Sequence, residues 1–229
     1  MKKELVSHNL DLVLMPVAEL LTLPEGIVTG DCCIASNGNV RSVCLFSKKP
    51  LEKIETLALD TASRSSITLG QLVFRYFYNR SPALEKLPQD KPLNECPADG
   101  FIVIGDRCLS FSPSEKWEYR YDLGSVWKEK TGLPFVFAAW ITCGKSTAAD
   151  EQLINALSQS RDFGLQKIID SLDNKSGNKL PLVLPLPDNE MKSYFTDNIV
   201  YKLGNEERKG LAAFLKLAAD NGIVPQYAE

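Results

Sequence analysis

A strand, a polar turn and a helix follow one another without interruption in residues 54–78, and this succession constrains the fold most. Residues 54–60 have the pattern of a strand, residues 61–66 are rich in hydroxyls, and the apolar positions of residues 67–78 recur at helical spacing. Residues 101–104 form a continuous apolar run, which is typical of a buried strand in a parallel sheet. Strands that alternate with helices predict an α/β fold.

Further strands and helices are predicted on both sides of this unit. We expect helical turns over residues 16–23, a hairpin turn at residues 37–39 and an extended connector over the proline-rich residues 180–187. The other predicted strands are residues 10–14, 31–36, 40–47 and 133–142. The other predicted helices are residues 122–130 (with Asp122 as N-cap and Gly132 as stop), 147–161, 165–172, 190–200 and 205–220.

The positions of the predicted strands divide the chain into two lobes. The strands at residues 40–47 and 133–142 flank the strand–turn–helix unit, as the two connections of a hinge would. Lobe 1 then comprises residues 1–47 and 134–229, and lobe 2 comprises residues 48–133. Ligands of α/β folds bind in the cleft at the carboxyl ends of the strands, so we expect the binding site there.

The charge of the chain argues against nucleic acid as a partner. Its 229 residues contain 26 Lys and Arg against 29 Asp and Glu, a net charge of −3, which provides no bulk attraction to phosphate backbones. The longest apolar run, residues 133–140, is far shorter than the ~20 residues of a membrane helix, and no export leader is evident. We therefore expect a cytoplasmic protein, with no membrane partner, whose six cysteines are reduced and mostly buried.

The scarcity of histidine narrows the chemistry that the chain can perform. His8 is the only histidine and stands in a polar stretch, where an exposed position is expected. Ser-His-Asp and Cys-His sites and a histidine-based metal centre are therefore nearly excluded, and the cysteines lack the spacing of zinc ligands, so we predict no metal. Any acid–base chemistry must use carboxylates, hydroxyls or the substrate itself.

Hydroxyls and an arginine cluster at the turn between the strand of residues 54–60 and the following helix. The first N–H groups of a helix have no intrahelical partner and attract anions, and hydroxyl and guanidinium donors strengthen that attraction. A carboxylate or a phosphate is therefore the expected ligand, although Ser and Thr at this position are also ordinary helix N-caps. The residues concerned are Ser63, Arg64, Ser65 and Ser66.

Two weaker candidate positions lie at the ends of other predicted strands. Ser42 follows the predicted turn at residues 37–39, where a hairpin with alternating exposed residues is the preferred interpretation. Gly105 and Asp106 follow the buried strand of residues 101–104, where cleft residues lie in such folds, but the aspartate could equally cap the next turn.

Four segments of the chain resemble one enzyme family. They are ASNGNVRSVCLFSKKP (residues 35–50), LALDTASRSSITL (57–69), VIGDRCL (103–109) and DLGSVWKEKTGLPFVFAAW (122–140). Their order and spacing are similar to those of the chorismate dehydratases, the first enzymes of the futalosine route to menaquinone. The resemblance covers most of the chain from Asp11 onwards. It implies a two-lobed fold like that of the type II periplasmic solute-binding proteins, with a two-strand hinge.

The resemblance also implies a lyase that needs no cofactor. The expected reaction dehydrates chorismate, a dicarboxylate, to 3-[(1-carboxyvinyl)oxy]benzoate, and formation of the aromatic ring supplies the driving force. By motif position, the implied cleft residues are Ser42, Ser63, Arg64, Ser65 and Ser66, with Gly105 and Asp106 at the opposite wall or hinge. Ser65 stands where the family usually has Thr, a change that keeps the hydroxyl.

The chain departs from the family pattern at its start. Members usually begin with a strand carrying Ser-Tyr-Leu-Asn and a helix, about fifty residues in all, before the part that matches residues 10–14. We therefore expect lobe 1 to lack its first strand and helix, which would expose apolar surface on a monomer or favour a homodimer.

Two other functions stay open at this point. One is a non-catalytic module of the same fold that binds carboxylates. The other is the sister enzyme of the family, dihydroxynaphthoate synthase, which is expected to use a histidine base. His8 precedes all the matching motifs, which disfavours the synthase.

Overall fold

Two β-sheets form the framework of the protein. The structure is a computed structural model that describes residues 2–7, 9–88, 90–144, 151–173 and 184–224. In chain order its strands are β1 (Val13–Pro16), β2 (Gly26–Ser36), β3 (Val43–Ser47), β4 (Thr56–Leu59), β5 (Ala83–Lys86), β6 (Gly100–Ile104), β7 (Tyr119–Asp122), β8 (Phe135–Cys143) and β9 (Val200–Lys202). Because strands and helices alternate along the chain, the predicted α/β class is confirmed.

The two sheets differ in strand direction. The first sheet has the order β1-β8-β2-β9, and its neighbouring strands are antiparallel. The second has the order β5-β4-β6-β3-β7, in which β4 runs parallel to β5 and β6, whereas β3 is antiparallel to β6 and β7. The chain leaves the first sheet after β2 and returns to it at β8.

Helices connect and cover the strands. In chain order they are α1 (Lys2–Val6), α2 (Arg64–Leu72), α3 (Gly105–Leu109), α4 (Leu123–Thr131), α5 (Glu151–Leu172), α6 (Asp188–Ser193) and α7 (Asn205–Asp220). Short 3-10 turns occur at Val17–Leu21, Leu51–Lys53 and Leu93–Glu95, and π-helical turns extend α2 over Val73–Phe77 and α6 over Tyr194–Asn198. Among the described residues, no helix combines the length and the apolar character that a membrane span requires.

Local signals explain why α4 and α7 form where the sequence predicts them. The Asp122 side chain accepts from the N–H of Ser125 and so caps α4, and Gly132 ends that helix with a positive φ of 73°. α7 spans the predicted residues 205–220 and begins where Glu207 accepts from the N–H of Gly204.

One hydrophobic cluster joins the two sheets. It contains Ala35 and Phe135 from the first sheet and Leu45 and Ile102 from the second. The fully buried Trp127 of α4 belongs to the same cluster. Five of the six cysteines are buried and Cys143 is partly exposed, all as unpaired thiols, which confirms the prediction made for them.

Several sequence predictions are wrong in detail. Residues 37–39 do not join a hairpin, because β2 and β3 lie in different sheets and the segment connects them. The predicted helices 147–161 and 165–172 form one helix, α5, within the described part, since Gly164 is tolerated inside it. The end of the predicted helix 190–200 is instead strand β9, and the first strand lies at Val13–Pro16, later than predicted.

Other predictions are not tested here. His8, Thr147 and residues 180–183 lie outside the described residues. The two lobes, their boundaries and the two-strand hinge stay predictions, as does the absence of a first strand. β3, whose residues end the first stretch of predicted lobe 1, lies in the second sheet.

Candidate functional site

The predicted binding residues come together at one edge of the second sheet. The parallel strands β4 and β6 end at this edge, and the antiparallel β3 begins there. The serine turn (Ser63–Ser66) follows β4, Gly105 and Asp106 follow β6, and Ser42 precedes β3. The peptide N–H of Gly105 donates to the carbonyl oxygen of Ser42 at 2.8 Å, which connects two of these segments directly.

The hydroxyls of the serine turn stabilise the turn itself. The Ser63 oxygen accepts from the N–H of Ser66 at 3.3 Å and lies 2.9 Å from the Ser66 hydroxyl oxygen. Ser65 is fully buried, and its hydroxyl oxygen accepts from the N–H of Ala18 at 3.2 Å. These hydroxyls therefore have structural partners, as the N-cap alternative requires. The N–H groups of Arg64 and Ser65, at the start of α2, have no intrahelical partner.

A buried carboxylate faces the arginine of the serine turn. Glu19 is 4% exposed, and its Oε1 lies 2.5 Å from Nη1 of Arg64. Its Oε2 lies 3.3 Å from Nζ of Lys2. Arg64 and Lys2 carry two positive charges and Glu19 carries one negative charge, so a net positive charge remains beside the start of α2. The helix dipole adds to this positive charge. The arrangement favours an anionic ligand, but Arg64 shares its charge with Glu19.

A tyrosine that sequence reasoning missed completes the surroundings of Ser42. The hydroxyl of Tyr194, in the π-helical turn after α6, donates to Oγ of Ser42 at 3.0 Å. Burial raises the pKa of Tyr194, and the nearby Asp106 carboxylate raises it further, so the phenol stays protonated and can donate. No local sequence pattern predicts this contact, because it joins residues that are 152 positions apart. π-Helical turns are frequent at functional sites.

The surface beside Ser42 is open at the start of α3. Gly105 has a positive φ of 61°, and a Cβ built on it would meet nothing within 4 Å. Asp106 is exposed, next to it. Within the described ranges, no three histidine, cysteine, aspartate or glutamate side chains converge as metal ligands would. The polar groups at this edge are hydroxyls, peptide N–H groups, guanidinium groups and carboxylates.

The sequence as a whole matches one protein family. Residues 1–220 fit the sequence pattern of a family described as menaquinone biosynthesis. The chain belongs to this menaquinone-biosynthesis family. The resemblance noted from the four motifs is thereby confirmed.

Two relatives are named chorismate dehydratase. The one from Thermus thermophilus is 28% identical over 201 residues, 80% of this chain and 70% of the relative. The one from Campylobacter jejuni is 28% identical over 122 residues, 52% of this chain and 48% of the relative.

Solved structures support the fold of this menaquinone-biosynthesis protein. A crystal structure of an Archaeoglobus fulgidus protein superimposes with a TM-score of 0.66 at 10% identity and covers 97% of this chain and 83% of its own. A crystal structure described as an ABC transporter from Parabacteroides distasonis gives a TM-score of 0.53 at 13% identity, over 98% and 82% of the two chains. At such low identity both comparisons concern the fold alone.

Proposed function

We propose that this member of the menaquinone-biosynthesis family dehydrates chorismate to 3-[(1-carboxyvinyl)oxy]benzoate. Two relatives that carry the name chorismate dehydratase support the proposal. The structural observation that supports it most is the convergence of the serine turn, Ser42 and Gly105 at one sheet edge, because it brings anion-attracting groups and hydroxyls together.

The start of α2 is the proposed site for one substrate carboxylate. The N–H groups of Arg64 and Ser65 point out of the first turn of the helix, and the Arg64 guanidinium adds a charged donor. Ser63 and Ser66 hold this turn in shape through their mutual hydrogen bond. The hydroxyls of Ser42 and Tyr194, with Gly105 and Asp106, are the proposed opposite wall.

The rate of this reaction depends on orienting the substrate and on one proton donor more than on a strong base. The bond to a ring hydroxyl breaks, and this hydroxyl leaves as water with a proton from a general acid. A substrate carboxylate takes the proton of the neighbouring ring carbon and returns it to the general acid, and the electron pair of the C–H bond completes the aromatic ring. A neutral phenol close to a departing hydroxyl lowers the barrier by general acid catalysis. We assign this role to Tyr194, since burial keeps its phenol protonated. Neither histidine nor metal is needed for these steps.

The finer aspects of this function are also proposals. We place the reaction in the futalosine route, with chorismate as the small-molecule partner, a monomer or homodimer as the active form and no cofactor. We propose a cytoplasmic location because the six cysteines, all within the described residues, are unpaired thiols.

Incubation of the purified protein with chorismate tests the proposed activity. The expected result is loss of the diene absorbance of chorismate, with a product one water lighter by mass spectrometry. Binding in a calorimeter without turnover would instead favour a carboxylate-binding module. If neither turnover nor binding occurs, the proposed site and substrate are both wrong.

Two variants test the assigned roles. Tyr194→Phe removes only the phenol hydroxyl, and we expect kcat to fall about 10²-fold while KM changes little. Arg64→Ala should raise KM about tenfold, because a charged donor to a carboxylate is lost. Arg75→Ala is the matched control, since Arg75 is an exposed arginine on the π-helical turn that extends α2 and should keep both constants. Wild-type kcat in Tyr194→Phe would remove Tyr194 from the mechanism.

A further inference from the structure

The connection from the first to the second sheet contains a strained turn. Arg41 has a φ of +64°, and the N–H of Ser42 donates to the carbonyl oxygen of Val40 at 2.8 Å. A hydrogen bond across one residue of positive φ is a γ-turn of the rare, strained form. Arg41 is not glycine, so its Cβ crowds the backbone. Such a turn persists only when its surroundings hold it.

The Asp122 carboxylate makes most of the side-chain bonds to this turn, and Oδ1 of Asn39 also accepts from the N–H of Arg41 at 3.1 Å. Both oxygens of Asp122 lie 3.1 Å from the N–H nitrogen of Val40, and Oδ2 also accepts from the N–H of Arg41 at 2.6 Å. Oδ1 accepts in addition from the N–H of Ser125 at 3.0 Å, which is the N-cap bond of α4. The sequence predicts the N-cap role of Asp122 but not the bonds to the turn, which span 81 and 82 positions.

The strained turn determines where Ser42 lies. The carbonyl oxygen of Ser42 accepts from Gly105, and its hydroxyl accepts from Tyr194. The Arg41 guanidinium pairs with Glu190 of α6. Any relaxation of Arg41 to negative φ would redirect the next peptide and displace the Ser42 hydroxyl.

Asp122 also lies where the two connections between the sheets meet. It ends β7 and precedes α4, through which the chain returns to the first sheet. The two connections approach closely here, since a Cβ on Gly124 would lie 2.3 Å from the carbonyl oxygen of Gly38 and 2.5 Å from Oγ of Ser36. The Asp122 carboxylate bonds to both connections.

We propose that Asp122 is a positioning residue, which holds the strained turn at residues 40–42 and thereby places Ser42 at the candidate site. The inference about substrate rests on the proposed function. The inference about the turn does not, because it concerns backbone N–H groups whose exchange with solvent can be measured without any substrate.

The test compares Asp122→Ser with the wild-type protein. Serine is as good an N-cap as aspartate, so α4 keeps its cap, but its single oxygen cannot also accept from Val40 and Arg41. The hydrogen bonds of the Ser42 and Gly105 amides depend on the shape of the turn and not on the Asp122 carboxylate. We expect these two amides to exchange with solvent at least tenfold faster, which corresponds to release of one residue from left-handed strain. The KM for chorismate should rise about tenfold with a smaller change in kcat, whereas partial unfolding would lower kcat and leave KM unchanged.

Three further variants make the result specific. Arg41→Gly in the Asp122→Ser background should restore slow exchange of the Ser42 and Gly105 amides and most of the affinity, because glycine adopts positive φ without strain. Glu190→Gln removes the ion pair of Arg41 but leaves the Asp122 carboxylate in place. This variant should leave the exchange of both amides unchanged. Asp122→Thr, whose single hydroxyl oxygen also caps a helix, replaces Asp122→Ser if that variant does not fold.

Two results would overturn the proposal. One is wild-type exchange of the Ser42 and Gly105 amides in both Asp122 variants. The other is fast exchange with a wild-type KM, because the turn would then not position Ser42. If the wild-type protein does not convert chorismate, the proposed function fails, and amide exchange with its rescue by Arg41→Gly still decides whether Asp122 holds the turn.

Discussion

At the scale of single residues, the pair of Glu19 and Arg64 links substrate binding to stability. Glu19 is buried, so Arg64→Ala leaves its carboxylate with Lys2 as its remaining cation. We expect Arg64→Ala to lower the free energy of unfolding by about 2–3 kcal/mol, because a buried carboxylate that loses one of its cation partners is costly. Glu19→Gln combined with Arg64→Ala should recover more than half of this loss. Urea titration measures both, and equal stability of the single and double variants would contradict the prediction.

A buried thiol predicts how stability depends on alkaline pH. Burial, assisted by the Glu207 carboxylate, raises the pKa of Cys33 from an ordinary value near 9 to about 12. Between these values the unfolded chain has released the proton and the folded protein retains it, so the folded state binds more protons and its stability falls as pH rises. This contribution is fully present below pH 9 and falls by up to about 1.4 kcal/mol per pH unit above it.

Comparison of Cys33→Ala with the wild-type protein isolates this effect. The variant should lose stability less steeply above pH 9, after a constant offset for the lost side-chain volume. Parallel curves for Cys33→Ala and the wild-type protein in urea titrations would show that Cys33 does not carry the effect.

At the scale of elements, two glycines distinguish the effect of backbone conformation on stability from the effect of the space available for a side chain. A Cβ on Gly164 or on Gly132 would meet nothing within 4 Å, but Gly132 has a φ of 73° at the end of α4, whereas Gly164 lies inside α5. Gly164→Ala should therefore stabilise the protein by about 0.5–1 kcal/mol. Gly132→Ala should destabilise it by about 1 kcal/mol. Thermal unfolding measures both changes, and the same sign for both would contradict the explanation.

The elements also show which structural features sequence can predict. The α4 and α7 helices follow from caps and spacing within each segment, so local chemistry predicts them. The turn residues 37–39 predict a change of direction but not the partner of the next strand, so local sequence does not distinguish a hairpin from a connection between two sheets. Local sequence does not predict strand β9, because its pairing partner β2 is far away in the sequence.

The candidate site likewise contains some residues that sequence can predict and others that it cannot. The serine turn, Gly105 and Ser42 share an edge because parallel strands end together, a property that strand order implies. Tyr194 and the second role of Asp122 depend on contacts between segments that are distant in sequence. Hydroxyls and carboxylates of similar appearance occur throughout the chain, so only the folded structure distinguishes those that meet.

At the scale of the whole molecule, a shared core predicts that the two sheets unfold together. Phe135 of β8 and Ile102 of β6 belong to one hydrophobic cluster, although they lie in different sheets. Trp127 connects the parts: its ring centroid lies 5.5 Å from that of Phe135 and 6.3 Å from that of Phe77, which follows α2. Because neither sheet can expose its face without opening this cluster, separate unfolding of one sheet would be costly.

Native-state hydrogen exchange tests this cooperativity. The slowest amides of β6 and β8 should open with free energies that agree within about 1 kcal/mol. Trp127→Ala should lower both values by a similar amount, about 3–5 kcal/mol. Trp117→Ala provides the informative contrast, since Trp117 packs in a cluster built from the second sheet and its surroundings. If Trp117→Ala accelerates exchange in β6 and leaves β8 unchanged, the sheets unfold as separate units and the shared cluster does not couple them.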